Sequence, residues 1–379
     1  MKLYLDTIIF GLQRAGGISV YFYELADRLL SGGYDTGFIQ PEEAGRNLFR
    51  RRLSIPGDRI LPDRAPLALA RFWPRRVPGH QPSLVHSSYY RVYPQPGVAN
   101  IVTVYDFGYE LFRSGPPRWV HGWQKRRAVR LADGVICISE STRADLVRLY
   151  PEVDPGKVRV IPLAAGNEFR PLGPADPGEA ADQRIREATA RPYILYVGER
   201  VHHKNFSAAA ETLERLPEYS LVLAGGRPLS PEEKRRLDQG LGGRYCHLGA
   251  VDSQTLNILY NRAACLLYPS LYEGFGVPLV EAMKAGCPVV AARRGSVPEV
   301  CGEAGCLTDD PAAQDFAGQV RRLEDAGERR RLVEAGLIQA RRFSWDGTFA
   351  QTVDFYQQVY QRRFQTGRLS DGQRIGNGL

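Results

Sequence analysis

The 379 residues are 43% apolar and 24% charged, the composition of a globular protein of about two domains and outside the disordered, collagen-like and coiled-coil classes. No run approaches 18 apolar residues, and the first apolar stretch, 3–12, is broken by Asp6 and Thr7 and lacks a small-residue cleavage site; neither a membrane span nor a secretory signal is expected. The net charge of +8 sits in one half: residues 1–170 hold 24 Lys and Arg against 16 Asp and Glu, whereas 171–379 hold 26 of each.

Taken in chain order, β-branched and aromatic runs bounded by turn residues predict strands at 3–9, 36–39, 84–86, 101–105, 134–138 and 158–161. Behind the first run come Gly16 and Gly17, then Ile18, Phe22, Leu25 and Leu29 at helical spacing, closed by Gly32 and Gly33. This reads as strand, glycine loop and helix. Between 171 and 191 the composition turns to Pro, Gly, Ala and Asp, as in an interdomain linker. A second series of strands follows at 193–197, 220–223, 245–248, 265–268 and 288–291. A helical stretch over 345–362 carries Phe349, Val353, Tyr356 and Tyr360 on one stripe and is expected to pack back across both domains; 366–379 reads as a polar tail.

Strands alternating with amphipathic segments indicate an α/β fold of two Rossmann-like domains, 1–170 (with 346–365 packing back on it) and 192–345, joined by the linker 171–191. Ligands of such sheets bind beyond the carboxyl ends of the strands, so the active site is expected where the two domains face each other. The six cysteines show no CxxC pair, and reduced structural thiols in a cytoplasmic protein are expected.

The basic excess gathers with aromatics at 64–76, including Phe72, Trp73, Arg75 and Arg76, and at 118–130, including Trp119, Trp123, Arg126 and Arg127. Such clusters suit an anionic partner. No zinc-finger spacing, RNP-type motif or helix-turn-helix signature accompanies them, so nucleic acid is not expected. An anionic membrane surface fits them, as does a merely solvated arginine-rich face.

The densest motif is Ser-Leu-Tyr-Glu-Gly-Phe-Gly-Val-Pro-Leu-Val-Glu at 270–281, which follows one predicted strand and opens a helix. Gly274 and Gly276 permit tight turns, Pro278 is tolerated in a first helical turn, and the N–H groups around Phe275, Gly276 and Val277 converge where a helix dipole favours a phosphate. Glu281 falls one turn into the helix, where a carboxylate can accept from vicinal hydroxyls; Glu273 faces what lies beyond the phosphates. A second strand-to-helix turn carries Gly198, Arg200, His202, His203 and Lys204. Its cations suit a diphosphate leaving group. There is no DxD pair and no metal-ligand spacing, so no metal and no cofactor is expected.

Glu273 and Glu281, spaced E-x7-E, together with VGERVHHKN at 197–205, AGGISVYFYELADRL at 15–29 and ICISESTRADLVR at 136–148, resemble the retaining nucleotide-sugar glycosyltransferases of family 4, which have the GT-B fold. The resemblance runs from Met1 to about Tyr360 and implies two Rossmann-like domains facing each other across a cleft. It further implies a nucleoside diphosphate sugar bound mainly by the second domain, with Lys204 and Arg200 on the diphosphate, Glu281 on the ribose, Glu273 at the donor sugar and the Gly16–Gly17 backbone closing over the phosphates. Two departures stand out. The family's histidine-aspartate pair reads Tyr105-Asp106, leaving Asp106 to hold the sugar or acceptor, and Glu199 directly follows Gly198 where relatives have arginine. His86 and Tyr105 fall on the acceptor side, and the loop around His247 and Val251 is where base specificity is expected.

The reading that results is transfer of a sugar with retention, GDP-mannose or a GDP-6-deoxyhexose being the favoured donor type, to a glycan or polyprenyl-linked acceptor in cell-surface polysaccharide synthesis. The enzyme is expected in the cytoplasm, peripheral on the inner face of the membrane. Two other classes stay open: a two-Rossmann nicotinamide oxidoreductase, disfavoured because the loop at 15–17 lacks GxGxxG, and a non-catalytic sugar-nucleotide-binding protein, disfavoured by the intact Glu273, Glu281 and Lys204.

Overall fold

A computed structural model describes residues 1–72, 76–79, 81–173 and 183–365. Trp73 and Arg75 of the first basic cluster, part of the expected linker and the expected tail at 366–379 lie outside the described residues. The chain divides into two compact units, one formed by Met1–Leu163 with the helix that begins at Trp345, the other by Ala164–Ser344.

In the first unit seven parallel strands, β1 (Lys2–Asp6), β2 (Thr36–Pro41), β3 (Ile60–Asp63), β4 (Ser83–Ser87), β5 (Val98–Val104), β6 (Gly134–Cys137) and β7 (Val158–Val160), lie in the order 3-2-1-4-5-6-7. The second unit holds six parallel strands, β8 (Tyr193–Val197), β9 (Ser220–Ala224), β10 (Tyr245–Gly249), β11 (Cys265–Tyr268), β12 (Val289–Ala292) and β13 (Gly305–Thr308), in the order 10-9-8-11-12-13. Each unit is therefore a doubly wound Rossmann-like sheet, and the strand order reverses once in each, between β1 and β4 and between β8 and β11. Strands such as β11 and β12 are buried along their whole length, as helices on both faces require, which is why they read as continuous apolar runs.

β3 and β13 escape sequence reading for a common reason. Both are edge strands, the first interrupted by Pro62 and the second opened by Gly305, residues that argue against a central strand. The expected strand 3–9 ends early at Asp6, whose carboxylate accepts from Ile8 N–H at 3.1 Å and turns the chain into a short helix, Ile9–Leu12. Residues just after Ala164 are held by the second unit: Arg170 N–H donates to Asn257 Oδ1 at 3.0 Å, and Lys284 Nζ donates to the carbonyls of Ala165 and Gly166 at 3.0 and 2.7 Å. A helix, Gln183–Ala188, stands inside the expected linker. The helix Trp345–Phe364 docks on the first unit, where Thr348 Oγ1 donates to Pro162 O at 2.8 Å and Phe355, Tyr356 and Val359 are buried.

Candidate active site

The switch point of the second sheet brings together loops that are far apart in sequence. Because β8 and β11 are neighbours, the turns leaving their carboxyl ends lie side by side, and Leu271 N–H donates to His203 O at 2.8 Å across them. After β8, Gly198 adopts φ +122°, and Asn205 takes a left-handed φ of +51° before the helix Phe206–Glu214. Between them Lys204 reaches Glu273: its Nζ lies 2.6 and 2.7 Å from the two carboxylate oxygens and 5.6 Å from the centre of the Tyr268 ring. The pair stands at the rim, with the lysine side chain 24% and the glutamate side chain 9% exposed.

Glu273 is held from behind. Ser296 Oγ donates to the carbonyls of Glu273 and Phe275 at 3.1 and 2.9 Å, and Gly295, at φ +55°, lies so close that a Cβ there would come within 2.9 Å of Glu273 O. Only glycine fits that approach. Gly276 caps the helix Val277–Lys284 at φ +92°, with Pro278 in its first turn, while Phe275 is buried and packs edge-on against Phe343. Gly274 has no positive φ. Half-buried Glu281, on the same helix, accepts from Tyr260 OH at 2.9 Å; burial pushes its carboxyl up to about 7 against the opposing pull of that bond. Sequence reading missed Tyr260, Gly295 and Ser296. A Gly-Ser turn followed by Pro298 was the available signal for the last two; nothing in the sequence marks Tyr260.

Arg200, expected on a diphosphate, is engaged within the protein. Its guanidinium is almost completely buried: Nε meets Glu233 Oε1 at 3.1 Å, one terminal nitrogen donates to Arg227 O, and the other stands 3.4 Å from His247 Nε2. His247 Nε2 also stands 3.1 Å from Gly225 O. Arg200 and His247 thus brace the turn that follows β9, where Gly225 and Gly226 have positive φ, and Val251 is half-buried just beyond β10.

In the first unit, Gly16 has extended backbone and Gly17 begins the helix Gly17–Ser31, so neither needs left-handed geometry. Asp106 follows β5, accepts from Gly108 N–H at 2.8 Å, and its carbonyl accepts from buried Lys125 at 2.7 Å. Tyr105 is buried and donates to Ser88 O at 3.2 Å. His86 corrects the expectation of an acceptor-side residue: it is wholly buried, one ring nitrogen bonded to Tyr356 OH and the other 2.8 Å from Thr103 Oγ1. Burial drives its pKa down to about 3, so a neutral ring fastens the C-terminal helix to the sheet. Sequence position at a strand end could not reveal this, because the partner is 270 residues away.

Two sequence models match: the one described as Glycosyltransferase Family 4 covers residues 15–165, and the one described as Glycosyl transferases group 1 covers 179–337. The O-antigen chain mannosyltransferase B of Escherichia coli is 30% identical over 230 residues, 59% of this chain and 60% of that protein, so the chain spans less than two thirds of its length. A D-inositol 3-phosphate glycosyltransferase of Acidothermus cellulolyticus is 28% identical over an alignment covering 97% of this chain and 91% of that protein. The solved sucrose-phosphate synthase from Thermosynechococcus elongatus superposes with a TM-score of 0.71 at 20% identity, covering 96% of this chain and all of that one, a likeness of fold.

Proposed function

Because this chain belongs to the family 4 glycosyltransferases of GT-B fold, we propose that it moves a hexose from a nucleoside diphosphate sugar, of the GDP-mannose or GDP-6-deoxyhexose type, to a glycan or polyprenyl-linked acceptor with retention at the anomeric carbon. The observation that carries this is the Lys204–Glu273 pair at the β8/β11 switch point, with Glu281 eight residues further on. The mannosyltransferase relative supports the sugar.

In this reading Glu281 accepts from the ribose hydroxyls and Lys204 meets the diphosphate beside the N–H groups that open the helix Val277–Lys284. Glu273 holds the ammonium in place until the donor arrives, then orients the donor sugar. The bond between the anomeric carbon and the diphosphate oxygen breaks, the acceptor oxygen bonds to the same face, and the acceptor proton passes to the departing diphosphate. Lys204 stabilises the charge growing on that leaving group, the role of a preorganised cation. Arg200 acts one step back, by holding the β9 turn. No metal enters this scheme, and activity is expected to survive EDTA. The test is incubation of the full chain with GDP-mannose and a lipid-linked or oligosaccharide acceptor, followed by NMR of the isolated product; an inverted anomer would overturn the mechanism.

A peripheral membrane location is a second part of the proposal, supported by the helix Pro116–Leu131. There Trp119, Val120 and Trp123 are 70%, 49% and 59% exposed, and Arg127 stands 6.0 Å from the Trp123 ring. Arg126 contributes less charge than expected, since it pairs with Glu152 at 2.6 Å. Among the described residues no helix is long and apolar enough to cross a membrane, so contact would be interfacial. Trp119→Ser with Trp123→Ser should abolish co-sedimentation with phosphatidylglycerol vesicles; undiminished sedimentation rejects the membrane role.

A further inference from the structure

Over the carboxyl ends of β1 and β2, in the first unit alone, lies a cavity of about 350 Å³ lined by Gly11, Leu12, Gln13, Arg14, Arg46 and Arg51. Three of its six lining residues are arginines. All three arginines are exposed, and among the described residues none has a carboxylate within ion-pairing distance; Arg51 alone is anchored, by Nε to Gly45 O at 2.7 Å. Three like charges around one hollow repel each other, and a dianion placed among them would remove that repulsion while accepting bidentate bonds.

The arrangement is built rather than draped. Asn47, wholly buried, donates to Gln13 O and Ser19 Oγ, both at 2.9 Å, and accepts from Phe49 and Arg50 N–H at 2.9 and 3.0 Å. Leu48 N–H donates to Arg14 O at 2.9 Å. One side chain thus staples the arginine-bearing turn 46–52 to the loop that carries Arg14 and starts the helix Gly17–Ser31. That helix has no side-chain cap and no acidic residue in its first turn, so nothing in it offsets the positive edge.

We infer that this cavity is a subsite for a phosphate group carried by the acceptor, separate from the donor diphosphate assigned to Lys204. The inference rests on the glycosyltransferase reading for the word acceptor, but not for the anion. Phosphate on a sugar and diphosphate on a polyprenyl chain present the same oxygens to Arg14, Arg46 and Arg51.

The test is calorimetric titration of the full chain, and of an Arg14→Ser, Arg46→Ser, Arg51→Ser variant, with inorganic phosphate, glucose 1-phosphate, farnesyl diphosphate, GDP and UDP. The variant should keep its Tm and its affinity for the nucleotide the wild type binds, and lose at least tenfold in affinity for phosphate. Loss confined further to glucose 1-phosphate assigns a phosphosugar, and loss confined further to farnesyl diphosphate a lipid-linked acceptor; either supports the subsite. Unchanged phosphate affinity, or absence of phosphate binding by the wild type, overturns it. An equal fall in nucleotide affinity also overturns it, by giving the arginines to the donor. If the wild type binds phosphate through these arginines but neither nucleotide, the donor reading fails while the anion site stands. Asn47→Ala, which leaves every arginine in place, should weaken phosphate binding by unpinning the turn.

Discussion

The switch points of the two sheets carry ion pairs of opposite character. At β8/β11 the Lys204–Glu273 pair stands at the rim with one face open, held by a serine and a glycine behind it. At β1/β4 the pair is sealed: Arg91 contacts Asp6 at 3.2 Å and Asp63 at 2.9 Å, all three side chains are essentially inaccessible, and Tyr93 OH donates to Asp6 at 2.9 Å. Burial raises the Asp6 carboxyl against the pull of Arg91. Pairs of the same two charges therefore do different work. A charge sealed from solvent among opposite charges holds a loop in place, whereas one with an exposed side can exchange its partner for a ligand.

The largest effect expected from breaking this comparison is on the sealed side. Arg91→Met leaves two buried carboxylates without their cation and should cost about 3–5 kcal/mol of stability, read as a shift in the urea midpoint. Adding Asp6→Asn and Asp63→Asn should recover much of it; a single variant as stable as the wild type would show that the cluster is not sealed. Lys204→Ala at the rim should behave in the opposite way. Turnover is expected to fall roughly a hundredfold, by analogy with loss of one charge stabiliser, with Tm little changed, and an unchanged kcat removes Lys204 from the chemistry.

Smaller effects sharpen the contrast. Glu281→Gln should raise the donor KM more than it lowers kcat, since a ribose contact is equal in ground and transition states. Its pH signature has a definite sign. With the folded carboxyl near 7 and the unfolded one near 4.5, the folded state holds the proton longer, so stability declines as pH rises from about 4.5 to 7 and is level above. The Gln variant should therefore gain in Tm relative to wild type at pH 8 and lose that gain at pH 4. His86 runs the other way: its folded pKa of about 3 lies below 6.5, so its contribution is full above 6.5 and fades as pH falls toward 3. The smallest expected change is that from EDTA, namely none; loss of activity restored by magnesium would replace the metal-free scheme.

Local pattern alone determined a good deal of this protein. The alternation of apolar runs and amphipathic segments specified two parallel-sheet units, because strand and helix periodicities are properties of short stretches of chain. The glycine and proline punctuation at 274–278 likewise marked a strand-to-helix turn, and E-x7-E marked its two carboxylates. Partnership was decided only by the tertiary structure. Whether Arg200 is available or occupied depends on Glu233 and Arg227, whether His86 faces a ligand or a core depends on Tyr356, and Lys204 meets Glu273 only because β8 and β11 are adjacent although 69 residues separate the two side chains. Which charges are saturated and which remain open is a long-range property, set by strand order and burial, and no reading of neighbours along the chain contains it.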